Sequence, residues 1–407
     1  MNLEFLTKEV KINSRKMLTV TLLSSTSLAW SFFMVFSFEN IFKNFTGNPT
    51  WAYLGEAFFF GFGALSAVIG AALSNKVDRR SLLLVYITLG VLATASIAAS
   101  TGTIFFLLSS VLLGLSLCLG FPSLTAFFAE STVVEERARV SGIVIFLTFI
   151  LVVFGVVVTT ISSYLLVVVL MGLFLRSSSY LALILDPHKK EKVKQKSWRN
   201  VLTNRDFILY LFPYIMFNIA AGLTIFIYAN PSSEYADAIA IGNSLHYLGT
   251  GIFAFVAGFV ADRFGRKQPI IFGMVILGVS FALLGFESSP LSVIVSLAVS
   301  GIAWGFLIVT YLTVPGDLGF PGSKEKFYAI EIIITLIVGL AFTAISEFGG
   351  VSSQPSLLSG ALSIILFLSI IPVLRAKEIL SEKKLYERRM REHVDKVGKL
   401  VQESKKT

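Results

Sequence analysis

The sequence predicts an all-α polytopic membrane protein, with twelve transmembrane helices arranged as two pseudo-symmetric six-helix bundles. Three observations carry this reading. The 407 residues are 55% hydrophobic and only 14% charged, with a mean hydropathy of +0.79, which leaves too little charged surface for a water-soluble globule. Twelve apolar runs are long enough to cross a bilayer, for which about 20 residues are needed. Charged turns also recur 187 residues apart, the mark of a duplicated chain.

In chain order the runs fall at 17–38, 51–74, 82–100, 103–128, 140–161, 164–185, 207–229, 236–260, 269–286, 290–314, 327–348 and 354–374. Residues 1–16 mix acidic with basic side chains and no small-residue cleavage site follows the first run, so they are read as a cytoplasmic N-terminal segment before a retained helix. The N-terminal bundle takes 17–186, a basic cytoplasmic linker 187–206, and the C-terminal bundle 207–375. In 376–407, Ile379, Tyr386, Met390, Val394, Val397 and Val401 recur at helical spacing, which predicts an amphipathic cytoplasmic tail.

All but two of the 34 Lys and Arg residues, Lys43 and Arg176, fall in connections on the same side as both termini. Because basic loops stay inside, both termini are predicted to be cytoplasmic in a multi-pass protein of the cell membrane. The net charge of +9 then reflects orientation in a lipid bilayer, and no nucleic-acid partner is expected. The one cysteine, Cys118, lies within an apolar run, which excludes an internal disulfide and a cysteine metal cluster. Paired histidine ligands, Gly-x-Ser-x-Gly and a phosphate-binding Gly-Lys-Ser/Thr loop are all missing from the sequence. No catalytic residue, metal or cofactor is therefore expected, and neither an enzyme nor direct ATP coupling has support.

The most charged turn reads Gly258-Phe-Val-Ala-Asp262-Arg263-Phe-Gly265-Arg266-Lys267, and a weaker copy runs from Ala71 to Arg80 with Asn75, Lys76, Asp78, Arg79 and Arg80. The same offset pairs Gly114 with Gly301, Glu130 with Asp317, Arg137 with Lys324, and Arg139 with Lys326. Set between helices 8 and 9 of a duplicated twelve-helix chain with a long central loop, this pattern resembles the signature loop of the major facilitator superfamily. The stretch from Glu130 through Arg137 and Arg139 to Gly142 is similar to that family's connection between helices 4 and 5. The resemblance implies two bundles that rock about a central site, closing one side as the other opens. In that scheme Asp262, with Arg263 and Arg266, bridges neighbouring helix ends in one state and releases them in the other. Asn75 can only hydrogen-bond, so the first-half latch is expected to be weaker or to recruit Asp78. The competing reading is that these charges only fix topology.

Polar residues at membrane depth face a cavity or a partner helix. Tyr210, Tyr214 and Asn218 share a face of helix 7, as do Asn243, His246 and Thr250 on helix 8. Ser24, Ser27 and Ser31 form a stripe beside Trp30 on helix 1, and helix 10 carries Trp304 and Tyr311. These helices line the cavity in the resembled family; ordinary interhelical packing is the alternative. Arg176 on helix 6 either attracts an anionic substrate or is a structural, paired or snorkelled arginine. His246, Glu56 and Glu331 are the titratable candidates for proton coupling.

The expected function is secondary active transport of a small-molecule substrate by alternating access, coupled to protons and carried out by a monomer. Whether it exports organic compounds or imports a metabolite stays open. Helix 5 lacks the Gly-Pro signature of many drug exporters in the family, which weighs against multidrug exchange of that type. A non-transporting sensor or scaffold with the same fold is the alternative.

Overall fold

The computed structural model describes residues 12–46, 49–100, 102–161, 165–185, 195–227, 233–286, 289–348, 355–380 and 390. Among them every regular element is a helix, and twelve helical spans are long and apolar enough to cross a membrane. The spans are α1 (Ser14–Thr46), α2 (Pro49–Leu73), α3 (Arg79–Ala98), α4 (Thr103–Cys118 and Phe121–Ser131), α5 (Arg137–Ile161) and α6 (Leu165–Ser177 and Ser179–Leu185). The second half repeats this with α7 (Arg205–Ile227), α8 (Ser233–Phe264), α9 (Lys267–Phe286), α10 (Pro290–Leu318), α11 (Lys324–Phe348) and α12 (Pro355–Leu368 and Ile370–Arg375). The break in α4 falls at Gly120 just before Pro122, which has no amide hydrogen for the helical ladder. Large apolar side chains such as Ile104, Ile184 and Leu357 stand on the outer surface, where lipid tails solvate them.

The repeat seen at an offset of 187 residues is also a repeat of packing. A Cβ on Gly114 of α4 would stand 2.4 Å from the Phe59 carbonyl oxygen on α2. On the related pair α10 and α8, a Cβ on Gly301 would stand 2.5 Å from the His246 carbonyl oxygen. Phe59 and His246 are themselves 187 apart, so the two halves bury the same helix crossing with the same glycine.

Two seams join the bundles, α5 against α8 and α2 against α11. At the first, a Cβ on Gly142 would come within 2.7 Å of the Ala254 carbonyl oxygen, and one on Gly258 within 2.5 Å of that of Ala138. Glycine is needed at both because backbone meets backbone there. At the second seam Gly339 accepts the ring of Phe60 and Gly63 the side chain of Leu336.

The helices run further than the apolar segments. α8 stays helical to Phe264, α10 to Leu318, while α5 starts at Arg137 and α11 at Lys324. Apolar patterning stops where the bilayer ends, but the i to i−4 hydrogen-bond ladder continues, so the charged residues sit on rigid helix ends rather than in loops. In the linker, Ser197 caps a short helix at Trp198–Leu202, and 186–194 lie outside the described residues. The start of the tail corrects the sequence reading. Residues 377–380 are not helical, and Ile379 is buried in the core of the second bundle, because Lys377 is tied at both backbone ends. Its amide donates to Asp206 at 3.0 Å and its carbonyl accepts from the Tyr210 hydroxyl at 2.9 Å. Residues 381–389 and 391–407, which hold most of the expected amphipathic helix, lie outside the described residues.

Gly258→Leu is expected to push α5 and α8 apart and to lower stability by about 1–3 kcal/mol, the usual penalty of overpacking. Thermal unfolding of the purified protein in detergent checks this, with Val260→Leu, on the same helix, as the control.

Candidate functional site

The helix ends carrying the basic connections converge on a buried ion network. Asp262, in the last turn of α8, accepts from the backbone amides of Ala138 (3.1 Å) and Arg139 (2.9 Å). These are orphan donors of the first turn of α5, so a carboxylate of one bundle caps a helix of the other, on the positive end of its dipole. Asp262 also holds the Arg139 guanidinium at 3.2 Å and that of Arg266 at 2.9 Å. Arg266 turns its other edge to Asp317 at the end of α10, at 2.8 Å, and donates to the Val134 carbonyl of the opposite bundle at 2.9 Å. Asp317 in turn is ion-paired with Arg137 at the start of α5. Burial works against the charge of Arg266, yet the carboxylates of Asp317 and Asp262 hold its guanidinium above the usual arginine range. Asp317 and Arg266 are effectively removed from solvent.

The first half reproduces part of this. Arg79 pairs with Glu130 at 2.8 Å, as Arg266 pairs with Asp317 187 positions on. Asn75, which stands where the second half has Asp262, is exposed. Asp78 is not recruited in its place; its carboxylate caps α3 through the Arg80 amide at 3.1 Å. The missing charge comes from the other bundle, since the buried Glu325 in the first turn of α11 reaches Arg79 at 3.5 Å. Lys324 adds a further cross-bundle bond to the Ala129 carbonyl at 3.2 Å.

Two further corrections concern the motif. Arg263 is exposed and lies over the ring of Phe264, so the second basic partner of Asp262 is Arg139 and not Arg263. Arg80 is also exposed. Gly265 has φ +98°, a conformation glycine adopts without strain, and a Cβ there would lie 2.2 Å from the Glu378 carboxylate. Glu378 accepts from the Lys267 amide at 3.2 Å and so caps α9, while the Lys267 ammonium donates to the Leu374 carbonyl at 3.1 Å.

Between the bundles lies a cavity of about 350 Å³, walled by α1, α2, α4 and α5 on one side and by α7, α10 and α11 on the other. Tyr214, Asn218, Trp304 and Glu331, all candidates from the sequence, line it, together with Ser31, Tyr311, Tyr328 and Cys118. Asn218 spends an amide hydrogen on the Tyr214 carbonyl, and the Tyr214 hydroxyl pairs with Thr335 at 2.7 Å. Glu331 is the single ionisable acid or base among the described lining residues apart from the tyrosines and Cys118, and its carboxyl has no hydrogen bond or ion pair among the described residues.

The remaining candidates sit elsewhere. His246 is hydrogen-bonded to Ser300 at 2.7 Å and packs edge to face behind Trp304, so it belongs to the α8/α10 contact and not to the cavity. Asn243 is half-buried and does not line the cavity. Trp30 donates to Thr94 at 3.0 Å inside the first bundle. Arg176 is fully buried there between the rings of Tyr86 (3.8 Å) and Trp30 (4.4 Å) and donates to the Tyr86 carbonyl at 2.7 Å. Gly90 makes room for it, since a Cβ would meet its Nε at 2.2 Å. The structural reading of Arg176 thus fits the geometry, with aromatic faces in place of a carboxylate. Glu56 accepts from Thr343 at 3.3 Å across the α2/α11 seam.

The profile of the Major Facilitator Superfamily matches residues 18–239, more than half of the chain. The chain belongs to the major facilitator superfamily. Within it, the chain is 30% identical over 153 residues to the proton-coupled antiporter flippase LtaA of Staphylococcus epidermidis, a match covering 36% of this chain and 38% of that protein. The protein of the same name in Staphylococcus aureus is 28% identical over 156 residues, covering 37% of this chain and 39% of that one. The crystal structure of the human organic anion transporter MFSD10 superposes with a TM-score of 0.66 at 13% identity, over 88% of this chain and 99% of that one. The superfamily fold is therefore shared well beyond the stretch of recognisable sequence.

The superfamily motif located Asp262 and Arg266, but Glu325, Arg139 and Glu378 were missed as network partners. Glu325 and Arg139 had a signal: they lie at or next to offset-related positions at the starts of α11 and α5. Glu378 had none, because its partner is a backbone amide more than a hundred residues away.

Asp317→Asn leaves Arg137 and Arg266 without their shared counter-charge, a loss of about 3–5 kcal/mol for a buried pair. Faster hydrogen exchange at the Ala138 and Arg139 amides is the expected result. Glu325→Gln is expected to loosen the first-half contacts in the same assay, and adding Asn75→Asp to recover part of the protection. Gly265→Ala, where both φ and Glu378 oppose a side chain, is expected to lower the melting temperature while Gly61→Ala, with open space around it, changes it little.

Proposed function

We propose that the chain is a secondary active transporter that exchanges a small organic solute for protons by alternating access, with Glu331 as the proton-carrying group. The observation that carries this is the placement of one unpartnered carboxyl on α11, in a central cavity whose lining is otherwise uncharged. A group that binds substrate or proton, but not both, couples their movement. That the staphylococcal relatives are proton-coupled antiporters supports coupling to protons. The ion network around Asp262, Asp317 and Arg266 acts as the gate at the basic end. By the distribution of Lys and Arg that end is cytoplasmic; we further take the membrane to be the plasma membrane and the chain to work as a monomer.

The same relatives are called flippases, and the cavity wall from α1, α2 and α4 is mostly aliphatic and phenylalanine, which favours lipid-like molecules as a second reading of the substrate.

The test uses proteoliposomes loaded with a panel of neutral, anionic, cationic and lipid-like fluorescent probes, with and without an imposed pH gradient. At least one probe is expected to move faster with the gradient. Glu331→Gln is expected to lose that acceleration while retaining downhill flux. Movement indifferent to the gradient in the wild type would reject the coupling, and no movement of any probe would reject transport in favour of a sensor.

A further inference from the structure

The two walls of the cavity differ in kind, and the difference points to the charge and shape of the substrate. On the first bundle the lining is aliphatic and phenylalanine, with Ser31, Thr125 and Cys118 as its only polar members, and it carries no charge. On the second bundle the lining is mixed, with aliphatic residues and Asn218 and Thr335, and it adds what the first lacks: one acid, Glu331, and the amphipathic rings Tyr214, Trp304, Tyr311 and Tyr328. Tyr214, Tyr311 and Tyr328 are all within electrostatic reach of that carboxyl. Their hydroxyls are already used: Tyr214 on Thr335, Tyr311 on the Tyr210 carbonyl at 3.3 Å, and Tyr328 on the Leu312 carbonyl at 2.8 Å. What these residues leave for a ligand is ring surface. Tyr214 and Tyr311 lie 4.7 Å apart at 54°, and Trp304 is fixed by Phe217 on one side and His246 on the other, so the aromatic wall is rigid.

No lysine, arginine or histidine lines the cavity among the described residues. Arg176, the sequence candidate for binding an anion, is enclosed between Tyr86 and Trp30 in the first bundle. Aromatic faces around a single carboxylate in a cavity whose lining is otherwise uncharged attract a weakly hydrated positive charge and disfavour a negative one. We infer that the cavity binds a monovalent lipophilic organic cation, with its charged centre between Glu331 and the aromatic wall and its apolar body against α1, α2 and α4. This rests on the antiport reading above and names its substrate class. It also fixes the charge balance. One cation leaving Glu331 as one proton arrives makes the exchange electroneutral, so it follows the pH gradient and not the membrane potential.

Tetraphenylphosphonium binding to the full chain in lipid nanodiscs tests this, with tetraphenylborate as the anion of like size and shape and empty nanodiscs as background. Quenching of Trp304 fluorescence, in a variant with the other three tryptophans replaced by Phe, reads occupancy at the site itself. Saturable phosphonium binding is expected, at least tenfold tighter than that of the borate. Lowering the pH is expected to weaken it, and so is Glu331→Gln by tenfold or more, whereas Glu331→Asp retains most of it. Tyr311→Leu is expected to weaken the phosphonium, whereas Tyr311→Phe, which keeps the ring, retains it. Equal affinity for the two ions, or phosphonium binding unchanged in Glu331→Gln, would overturn the inference. Binding needs no gradient, so the two claims separate. Phosphonium binding without pH-driven flux removes the coupling and leaves the cation site, whereas pH-driven flux of a neutral lipid without phosphonium binding does the reverse.

Discussion

The structure turns on Asp317. Its carboxylate, fully withdrawn from solvent, is shared by Arg266 of its own bundle and Arg137 of the other. Both guanidinium groups are also nearly dry, so each charge depends on the others for its solvation. Buried ions of this kind are tolerated only when fully paired, because an isolated one costs several kcal/mol. A partial separation of the bundles, wide enough to break the Arg137–Asp317 pair but too narrow to admit water, would leave Arg137 without its carboxylate and Asp317 with Arg266 alone. Full separation would rehydrate them. The network therefore disfavours intermediate openings, which suits the gating role proposed for it.

Duplication supplies this device twice, and the two copies have diverged in where the negative charge is stored. Arg79 with Glu130 repeats Arg266 with Asp317, yet the carboxylate of Asp262 has become the exposed Asn75 in the first half. Glu325 restores it from across the interface, at the site related to Ala138, whose amide Asp262 caps in the second half. In both contacts the acceptor carboxylate belongs to the second bundle and the donor to the first. The same trade occurs one step along the chain. Asp78 caps α3 from within its own turn, whereas the related position is Gly265 and the cap of α9 comes from Glu378 beyond α12. What is maintained is a carboxylate at each helix start, whichever residue provides it, because the orphan amides and the buried arginines remain in both halves.

The sequence made the helix count and the duplication readable because an unbroken apolar run of about twenty residues matches the thickness of a bilayer, and because matched charges at one offset are hard to obtain by chance. Helix ends were less readable. The ends of α8 and α10 and the starts of α5 and α11 run past the apolar pattern, and those extra turns hold the ion network. The cavity was read in part: Tyr214, Asn218, Trp304 and Glu331 face it, while His246 and Arg176 do not. Spacing tells which residues share a helix face, but not whether that face meets a neighbour or a void. For His246 the offset did hold the answer. Its counterpart is Phe59, and both lie under a glycine of the related helix, Gly301 and Gly114, a packing position in either half. For Arg176 no pattern in one dimension shows that Tyr86 and Trp30 will enclose it.

The cavity and the ion network are built on the same two helices. On α10, Tyr311 lines the cavity and Asp317 anchors the ion network; on α11, Glu331 lines the cavity and Glu325 reaches Arg79. In each helix six residues separate the two, about 9 Å along the axis at 1.5 Å per residue. The helices are themselves joined where the two regions meet, since the Tyr328 hydroxyl bonds the Leu312 carbonyl and a Cβ on Gly316 would stand 2.7 Å from that hydroxyl. Tilting α11 toward a ligand at Glu331 moves Glu325 against Arg79, and α10, whose ladder is interrupted at Pro315 between Tyr311 and Asp317, can bend at that point as Asp317 follows. In the proposed cycle, the exchange of a proton for a cation at one carboxyl is thus felt at the gate through less than two turns of helix, and no longer relay is needed.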